Sequence, residues 1–539
     1  MNRDGPEPAI SSETLDSWKA IAAHLRRDVR TVMRWELDRG MPVHRVPGGG
    51  KPGVYALKAE LDDWWNSREM HLPQAASTPT PASIAVLPFA NLSADKENEY
   101  FSDGLADDII DALTKLPGLR VVARTSAFAF RGKDADASEI GTKLKVATLL
   151  EGSVRKAGSR IRVSVQLIKA ADQSHLWSER YDREMNDVFG IQDEISQAIV
   201  EKLRVRLAAD RPLVKRYTEN LEAYNLFLRG RHSIHRLMPE SLAKGKEYLE
   251  EALALDPNYA LAYAGLAEYY LASAFSGFMV GSEAVRGAKA AALAALKLDD
   301  TLAEAHAQLG AVKGVGDFDW VGAEQEFRRA LELNPASHIV HFYYGRFCLR
   351  PMGRLDEELP HERRAVELDP LCVRYNSCLA YLSGVLGQHD LAMAQHRRAI
   401  ELDPTMYMPR VALAATYMHM GHLKEATAEA QKACELSGRN PRALGMLAVV
   451  HGLAGRQGEA RALWKELTAR RRTTYVPPFA MTLAYLGVRE MDQVFEWLEK
   501  GVEERDLMII FHLKCEPSYV SLHGHPRYQA LLRKMKLEA

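Results

Sequence analysis

Apolar and polar positions change their period four times along the chain. Trp18, Ile21, Ala22 and Leu25 share one face of a helix over 16–25, and Val32 and Trp35 face inward from a second helix over 28–38, with Asp28 as its N-cap. Two extended runs then flank the Gly-Pro-rich tip of MPVHRVPGGGKPGVYAL, which reads as a hairpin wing, and 58–66 forms a closing helix. Residues 69–83 are rich in Pro, Ser, Thr and Ala without an apolar period, which predicts a linker. Strand-like runs follow at 83–88, 119–123, 147–156, 160–170 and 174–183, with helices from Ser102 to Lys115, over 138–145 and from Asn186 to Leu207. Within RIRVSVQLIKA polar and apolar residues alternate, so one face of that strand is wet. Val188, Ile191, Ile195, Ile199 and Leu203 keep helical spacing in the closing helix.

From about 221 the pattern becomes a repeat. Asp256-Pro257, Asp299-Asp300, Asn334-Pro335, Asp369-Pro370, Asp403-Pro404 and Asn440-Pro441 stand with second positions 43, 35, 35, 34 and 37 residues apart. Leu413-Ala414, Tyr417, Gly421, Ala426 and Ala433 mark one helix–turn–helix unit; Leu266-Ala267-Tyr270, Leu309-Gly310, Ala323, Phe327 and Ala330 repeat its parts. Small residues let two helices approach and large ones fill the gaps between units. Proline lacks an N–H and disfavours helix before it, so it ends each second helix. No unit buries its apolar face alone; the stack does so collectively.

Composition narrows the class. The 539 residues are 47% apolar and 26% charged, ordinary globular values. Lys plus Arg number 70 against 71 Asp plus Glu, so nucleic-acid contact requires a local patch. Cys348, Cys372, Cys378, Cys434 and Cys515 form no C-x-x-C pair, which argues against zinc, a redox motif or a disulfide framework. The N-terminus has no basic-then-apolar leader and no run of apolar residues is long enough to span a bilayer, so a cytoplasmic protein is expected.

The head carries the most suggestive chemistry. Helix, turn, helix and wing bring a helix to a major groove and a hairpin to the neighbouring backbone. Arg27, Arg30, Thr31 and Arg34 fall on the outer face of the second helix, where arginine forks can address phosphates or guanine edges. Asp28, Glu36, Asp38, Asp62 and Asp63 nearly cancel this charge, so one copy binds weakly and a homodimer or a second contact is needed for tight binding. Gly48-Gly49-Gly50-Lys51 is not a phosphate loop, because Pro52 stands where Ser or Thr should hold magnesium. Asp103, Asp107 and Asp111 share a helix face with Asp108 beside them, but no histidine or second carboxylate cluster lies near in sequence. His361-Glu362 lacks the second histidine of a zinc-protease helix, and the pair His523 and His525 is too little for a metal site. No catalytic residue, metal site or cofactor follows, and the expectation is that the chain is not an enzyme.

Three resemblances sharpen this. The repeats resemble the tetratricopeptide family, with three departures: Asp300 in place of proline, an insertion near 272–283, and Glu358 at a normally small position. Ser17-Trp18-Lys19, Ala22, Arg30-Thr31-Val32, Arg34-Trp35-Glu36, Gly40, Pro42 and Glu60-Leu61 resemble the excisionase/MerR-like winged helix-turn-helix family. That resemblance implies Arg30, Thr31 and Arg34 in the groove and His44, Arg45 and Lys51 as wing contacts. Ala85-Val86-Leu87-Pro88-Phe89, Tyr100 to Leu105, Glu151-Gly152-Ser153-Val154 and Leu176-Trp177-Ser178-Glu179 resemble the domain related to the N-terminal part of TolB, which implies binding or signal relay. The tetratricopeptide likeness places Ile339, Phe342, Arg346, Arg374, Tyr381, Met408, Val411 and Met418 on a concave face suited to a helix or extended peptide.

The expected architecture is therefore a winged helix-turn-helix domain (14–68), a linker (69–83), an α/β domain with a mixed sheet (84–208), an all-α tetratricopeptide solenoid (221–500) and a C-terminal capping segment (501–539). Two functions fit it. One is a DNA-binding transcriptional regulator whose repeats bind a protein or peptide. The other is a scaffold whose winged domain does not read DNA.

Overall fold

The computed structural model describes residues 14–25, 29, 32–33, 35–36, 41–45, 54–62, 64, 82–95, 98–205 and 213–538. Contacts divide the chain into two units, 1–81 and 82–539.

In the first unit, Ser17 caps the helix Trp18–His24 by accepting from the Ala20 amide at 3.2 Å. Strands β1 (Thr14–Leu15) and β2 (His44–Arg45) flank β3 (Val54–Leu57), both antiparallel, with His44 opposite Tyr55 and Arg45 opposite Val54. The β2–β3 pairing is the base of the expected hairpin. The edge strand β1 was not foreseen: two residues carry no readable period. Ile21, Ala22, Leu25, Val32, Trp35, Met41, Ala56 and Leu61 make the core.

The second unit begins with a mixed sheet. β4 (Ala82–Val86) lies between β6 (Leu119–Val121) and β7 (Thr148–Ala157), parallel to both. β8 (Arg160–Lys169) and β9 (His175–Glu184) extend it antiparallel, and β5 (Ala90–Asn91) pairs with β7 beyond the end of β4. Ile84, Val86 and Leu150 pack on one face against the helices Glu99–Thr114 and Val188–Lys202. Ala85, Leu87 and Leu149 pack on the other against Ile140 and Leu144 of the helix Ala137–Leu144. The first of these helices starts three residues before the expected Ser102. Tyr100 and Phe101 are already buried, so the apolar face begins one turn early and Ser102 is interior.

Eight helical hairpins follow among the described residues, from Leu221–Ile234 paired with Pro239–Leu255 to Pro478–Val488 paired with Met491–Glu504. The repeat residues do what their sizes dictate. A Cβ on Gly310 would lie 3.0 Å from the Phe327 ring, so glycine there admits the large residue of the partner helix. Gly452 and Gly487 let two first helices touch backbone to backbone; a Cβ on Gly452 would meet the Gly487 carbonyl at 2.0 Å.

The recurring Asp or Asn is a turn device. Asp256, Asp299, Asn334 and Asp403 each accept from the amide two residues on, at 2.9–3.1 Å. Asp299 needs no following proline for this, which explains why Asp300 is tolerated. In the third and fourth hairpins the first helix continues into a π turn, Val312–Gly316 and Gly345–Leu349. These are the two units with a spacing of 35 rather than 34, so the extra residue is absorbed inside the helix.

The chain end does more than cap the last hairpin. Trp320 Nε1 donates to the Met535 carbonyl at 2.7 Å, Arg505 to that of Gly316 at 2.8 Å, and the Phe511 ring lies 6.3 Å from that of Phe275. The final helices thus pack against the second and third hairpins.

Candidate functional site

Three groups of predicted site residues have different fates. Of the head residues, Arg27, Arg30, Thr31, Arg34 and Lys51 lie outside the described residues, as does Asp28. His44 and Arg45 are described. Arg45 pairs with Glu36 at 2.6 Å, with its guanidinium 6.0 Å from the Trp18 ring centre. His44 meets Glu60 at 2.6 Å and stacks on Tyr55. Both side chains remain open to solvent, 51% exposed for Arg45 and 41% for His44.

The aspartates of helix Glu99–Thr114 lie along one face, as their spacing predicts, and each is engaged. Asp103 meets Arg131, Arg124 at 3.4 Å and His232 at 3.4 Å. Asp107 pairs with Arg231 at 2.5 Å and Arg124 at 3.4 Å. Asp108 accepts from the Tyr224 hydroxyl at 2.6 Å and the Gln192 amide at 2.9 Å, and Asp111 meets Arg231 at 3.3 Å. Burial pushes the Asp103 carboxyl up, but its bonds to His232 and Arg131 more than offset this and hold it below its ordinary value. Arg231, His232 and Tyr224 belong to the first hairpin, so the aspartates form a charged joint between the sheet and the repeats. A second seam lies at 367–371: Ser126 donates its amide to Asp369 at 3.0 Å and its hydroxyl accepts from the Leu371 amide at 2.7 Å. Among the described residues no group of three or more His, Cys, Asp or Glu side chains is arranged to hold a metal ion.

Of the residues expected on a concave face, Arg346 and Tyr381 lie against a later segment of this chain, with Phe342 and Arg374 packed on each other nearby. Phe342 is buried between Tyr375, at 4.7 Å between rings, and the Arg374 guanidinium, 5.3 Å from its centre. Arg346 lies over the Phe511 ring at 5.1 Å. Tyr381 donates its hydroxyl to Glu516, and its ring meets His512 at 5.2 Å. Glu516 also bonds His419 at 2.6 Å. Burial raises the Glu516 carboxyl, yet His419 and Tyr381 leave it well below the ordinary carboxylate range. Val411 and Met418 are buried against the next hairpin; Ile339 and Met408 are half-buried. The later segment is the helix Leu507–His512 with the turn Pro517–Leu522. Its signal was legible: Leu507-Met508-Ile509-Ile510-Phe511 is apolar all round, the mark of a segment enclosed on every side.

The wall behind it holds buried charges. Arg350 donates Nε to both Glu358 oxygens, at 2.7 and 3.0 Å, with both side chains out of solvent. Glu358, the departure from the small-residue rule, fits because Gly345 faces it; a Cβ there would sit 3.1 Å from its Cγ. Arg346 Nε and Nη1, Arg350 Nη2 and both Glu362 oxygens have no hydrogen-bond partner. Burial and the neighbouring Glu358 push the Glu362 carboxyl far up.

Similarities to known proteins bear on these groups. Residues 80–198 match the family model described as HilA/YgeH-like transcriptional regulator, second domain. The chain is 24% identical over 303 residues to "Transcriptional regulator HilA" of Salmonella typhimurium, covering 55% of this chain and 52% of that protein. It is 43% identical over 201 residues to "Putative adenylate cyclase 3" of Rhizobium meliloti, covering 36% of this chain and 34% of that protein. The chain thus spans between a third and a half of these relatives. The cyclase match overturns the expectation that the chain is not an enzyme, because a protein named for catalysis carries a third of this sequence at high identity. Solved structures similar to it include yeast Tom70, 17% identical with TM-score 0.38 over 60% of this chain and 69% of that one. YrrB, described as a TPR protein with an unusual peptide-binding site, is 21% identical with TM-score 0.26 over 36% of this chain and 95% of that one. The repeat architecture rests on the hairpins themselves. No helix among the described residues is long and apolar enough to cross a membrane.

Proposed function

We propose that the chain is a DNA-binding transcriptional regulator whose repeats receive a protein or peptide signal. The observation that carries this is the match of 80–198 to a transcriptional-regulator domain. The first unit supports it with the capped helix Trp18–His24 and the paired hairpin base of β2 and β3. In this reading the unit is a winged helix-turn-helix: Arg30, Thr31 and Arg34 enter the groove, and His44, Arg45 and Lys51 meet the backbone. The carboxylate partners of His44 and Arg45 do not oppose it. Exposed ion pairs contribute only about 0–1 kcal/mol, so a phosphate replaces Glu36 or Glu60 at little cost. A partner at the repeats competes with 507–522 for Arg346 and Tyr381, and the TolB-like α/β domain relays the change through the aspartate joint. Selection of genomic fragments on the full chain, followed by mobility shift at two salt concentrations, tests the reading. It expects enrichment of a discrete sequence; retention no better than a scrambled duplex overturns it.

The cyclase-named relative favours a second reading, in which the shared stretch serves a nucleotide-cyclising activity. Purified full chain incubated with ATP and a divalent cation, with cyclic AMP as the readout, decides it.

A further inference from the structure

A cavity of about 550 Å³ opens at the end of β4. Its place follows from the topology. The chain leaves β4 through helix Glu99–Thr114 on one face of the sheet and leaves β6 toward helix Ala137–Leu144 on the other. The strands entered next, β6 and β7, lie on opposite sides of β4. The two connections diverge at the carboxyl end of β4, and such switch points in parallel sheets open crevices where small ligands bind. The volume falls within the range of small-molecule sites, roughly 300–1,000 Å³.

The lining has an apolar body and two opposite charges. Pro88 and Phe130 supply its accessible apolar part, over Phe89 and Ile140, which are buried. Phe89 fits because the facing strand residue is glycine; a Cβ on Gly152 would meet its ring at 2.7 Å. Among the described residues that line the cavity, Arg131 is committed to Glu99 and Asp103. Lys133 and Glu151 have no ion-pair partner: Lys133 Nζ only approaches the Phe130 ring, at 5.9 Å, and Glu151 is half-buried on β7. Two unpaired opposite charges on one cavity of mixed polar and apolar lining are complementary to a ligand that carries both signs around a compact apolar body.

We infer that this crevice is a binding site for a small apolar zwitterion, of the class of an aromatic or branched α-amino acid. Glu151 takes the ammonium group, Lys133 the carboxylate, and the side chain lies on Phe130 and Pro88.

Isothermal titration of the full chain, without DNA, with L-phenylalanine, its amide and its N-acetyl form tests the site. Saturable binding of phenylalanine is expected, tighter than of either blocked form. Glu151→Gln should weaken phenylalanine and the amide roughly tenfold and leave N-acetylphenylalanine unchanged, as loss of one charge-assisted hydrogen bond predicts. Lys133→Gln should weaken phenylalanine and the N-acetyl form and spare the amide. Unchanged melting temperatures show that both variants fold. No saturable heat up to the solubility limit, or equal effects of each variant on all three compounds, overturns the inference. DNA binding can fail or succeed independently of this result.

Discussion

The aspartate joint and the wall behind Phe511 handle carboxylates and arginines differently: Arg350 and Glu358 of the wall are out of solvent, whereas at the joint Asp103 and Asp107 are buried and Asp111 is exposed. At the joint, Asp103, Asp107, Asp108 and Asp111 share the partners Arg124, Arg131, Arg231, Gln192 and Tyr224. At the wall, Arg350 pairs with Glu358 through Nε alone, while Arg350 Nη2 and most of the Arg346 fork have no hydrogen-bond partner. Removing a charge from water costs several kcal/mol and is recovered only through good pairing. The joint is therefore built for adhesion, whereas the wall carries a standing cost that the packing of 505–522 offsets.

Breaking the wall should have the largest effect. Arg350→Met strands a buried Glu358, and urea unfolding should show a loss of about 3–5 kcal/mol. Arg350→Met with Glu358→Leu should recover most of it, since an apolar pair of similar volume is often neutral. The joint comes next. Arg231→Met leaves three carboxylates short of a partner, but Asp107 keeps Arg124 and Asp108 keeps Tyr224 and Gln192, so a loss of about 2–3 kcal/mol is expected. Arg231→Lys should restore only part of it, because an ammonium group cannot span the same oxygens.

A smaller effect at the wall depends on pH. The Glu362 carboxyl, pushed up to about 8 by burial and Glu358, stays protonated in the folded chain at neutral pH. The unfolded chain ionises it in the ordinary carboxylate range. Folding is thus penalised progressively as pH rises from about 4.5 toward 8. Thermal melts of Glu362→Gln should lack this component, so its advantage over the parent chain grows across that window. A constant difference would place Glu362 outside the wall's charge balance. Smallest in stability is Arg45→Ala, within about 1 kcal/mol because its pair with Glu36 is exposed. Its signature lies in DNA affinity, with the salt slope falling by about 1.

What could be read beforehand follows the strength of local pattern. The mixed sheet and the helical repeat were legible because their periods run over many residues, and even the 35-residue spacings mark the π turns. Glu358 stood out as a misfit, but its partner Arg350 sits in the turn after Gly345–Leu349 and carries no sequence label. The early start of helix Glu99–Thr114 was hidden because Ser102 looks like a cap. The pairing of the aspartates with Arg231, and of Tyr381 with Glu516, joins residues 124 and 135 positions apart, which no periodicity reports. The segment 507–511 announced that it was buried but not against what. The crevice beside β4 depends on the order of strands, which only the fold supplies.

The docking of the chain end onto early hairpins also sets a timetable. Phe275 and Phe347 are covered by Phe511, so their shelter is synthesised long after them. At about 5–20 residues per second, roughly 10–50 s separate the emergence of Phe275 from that of Phe511. Through that interval the nascent chain shows an aromatic surface to the cell, and a ribosome that stalls before residue 505 leaves it bare.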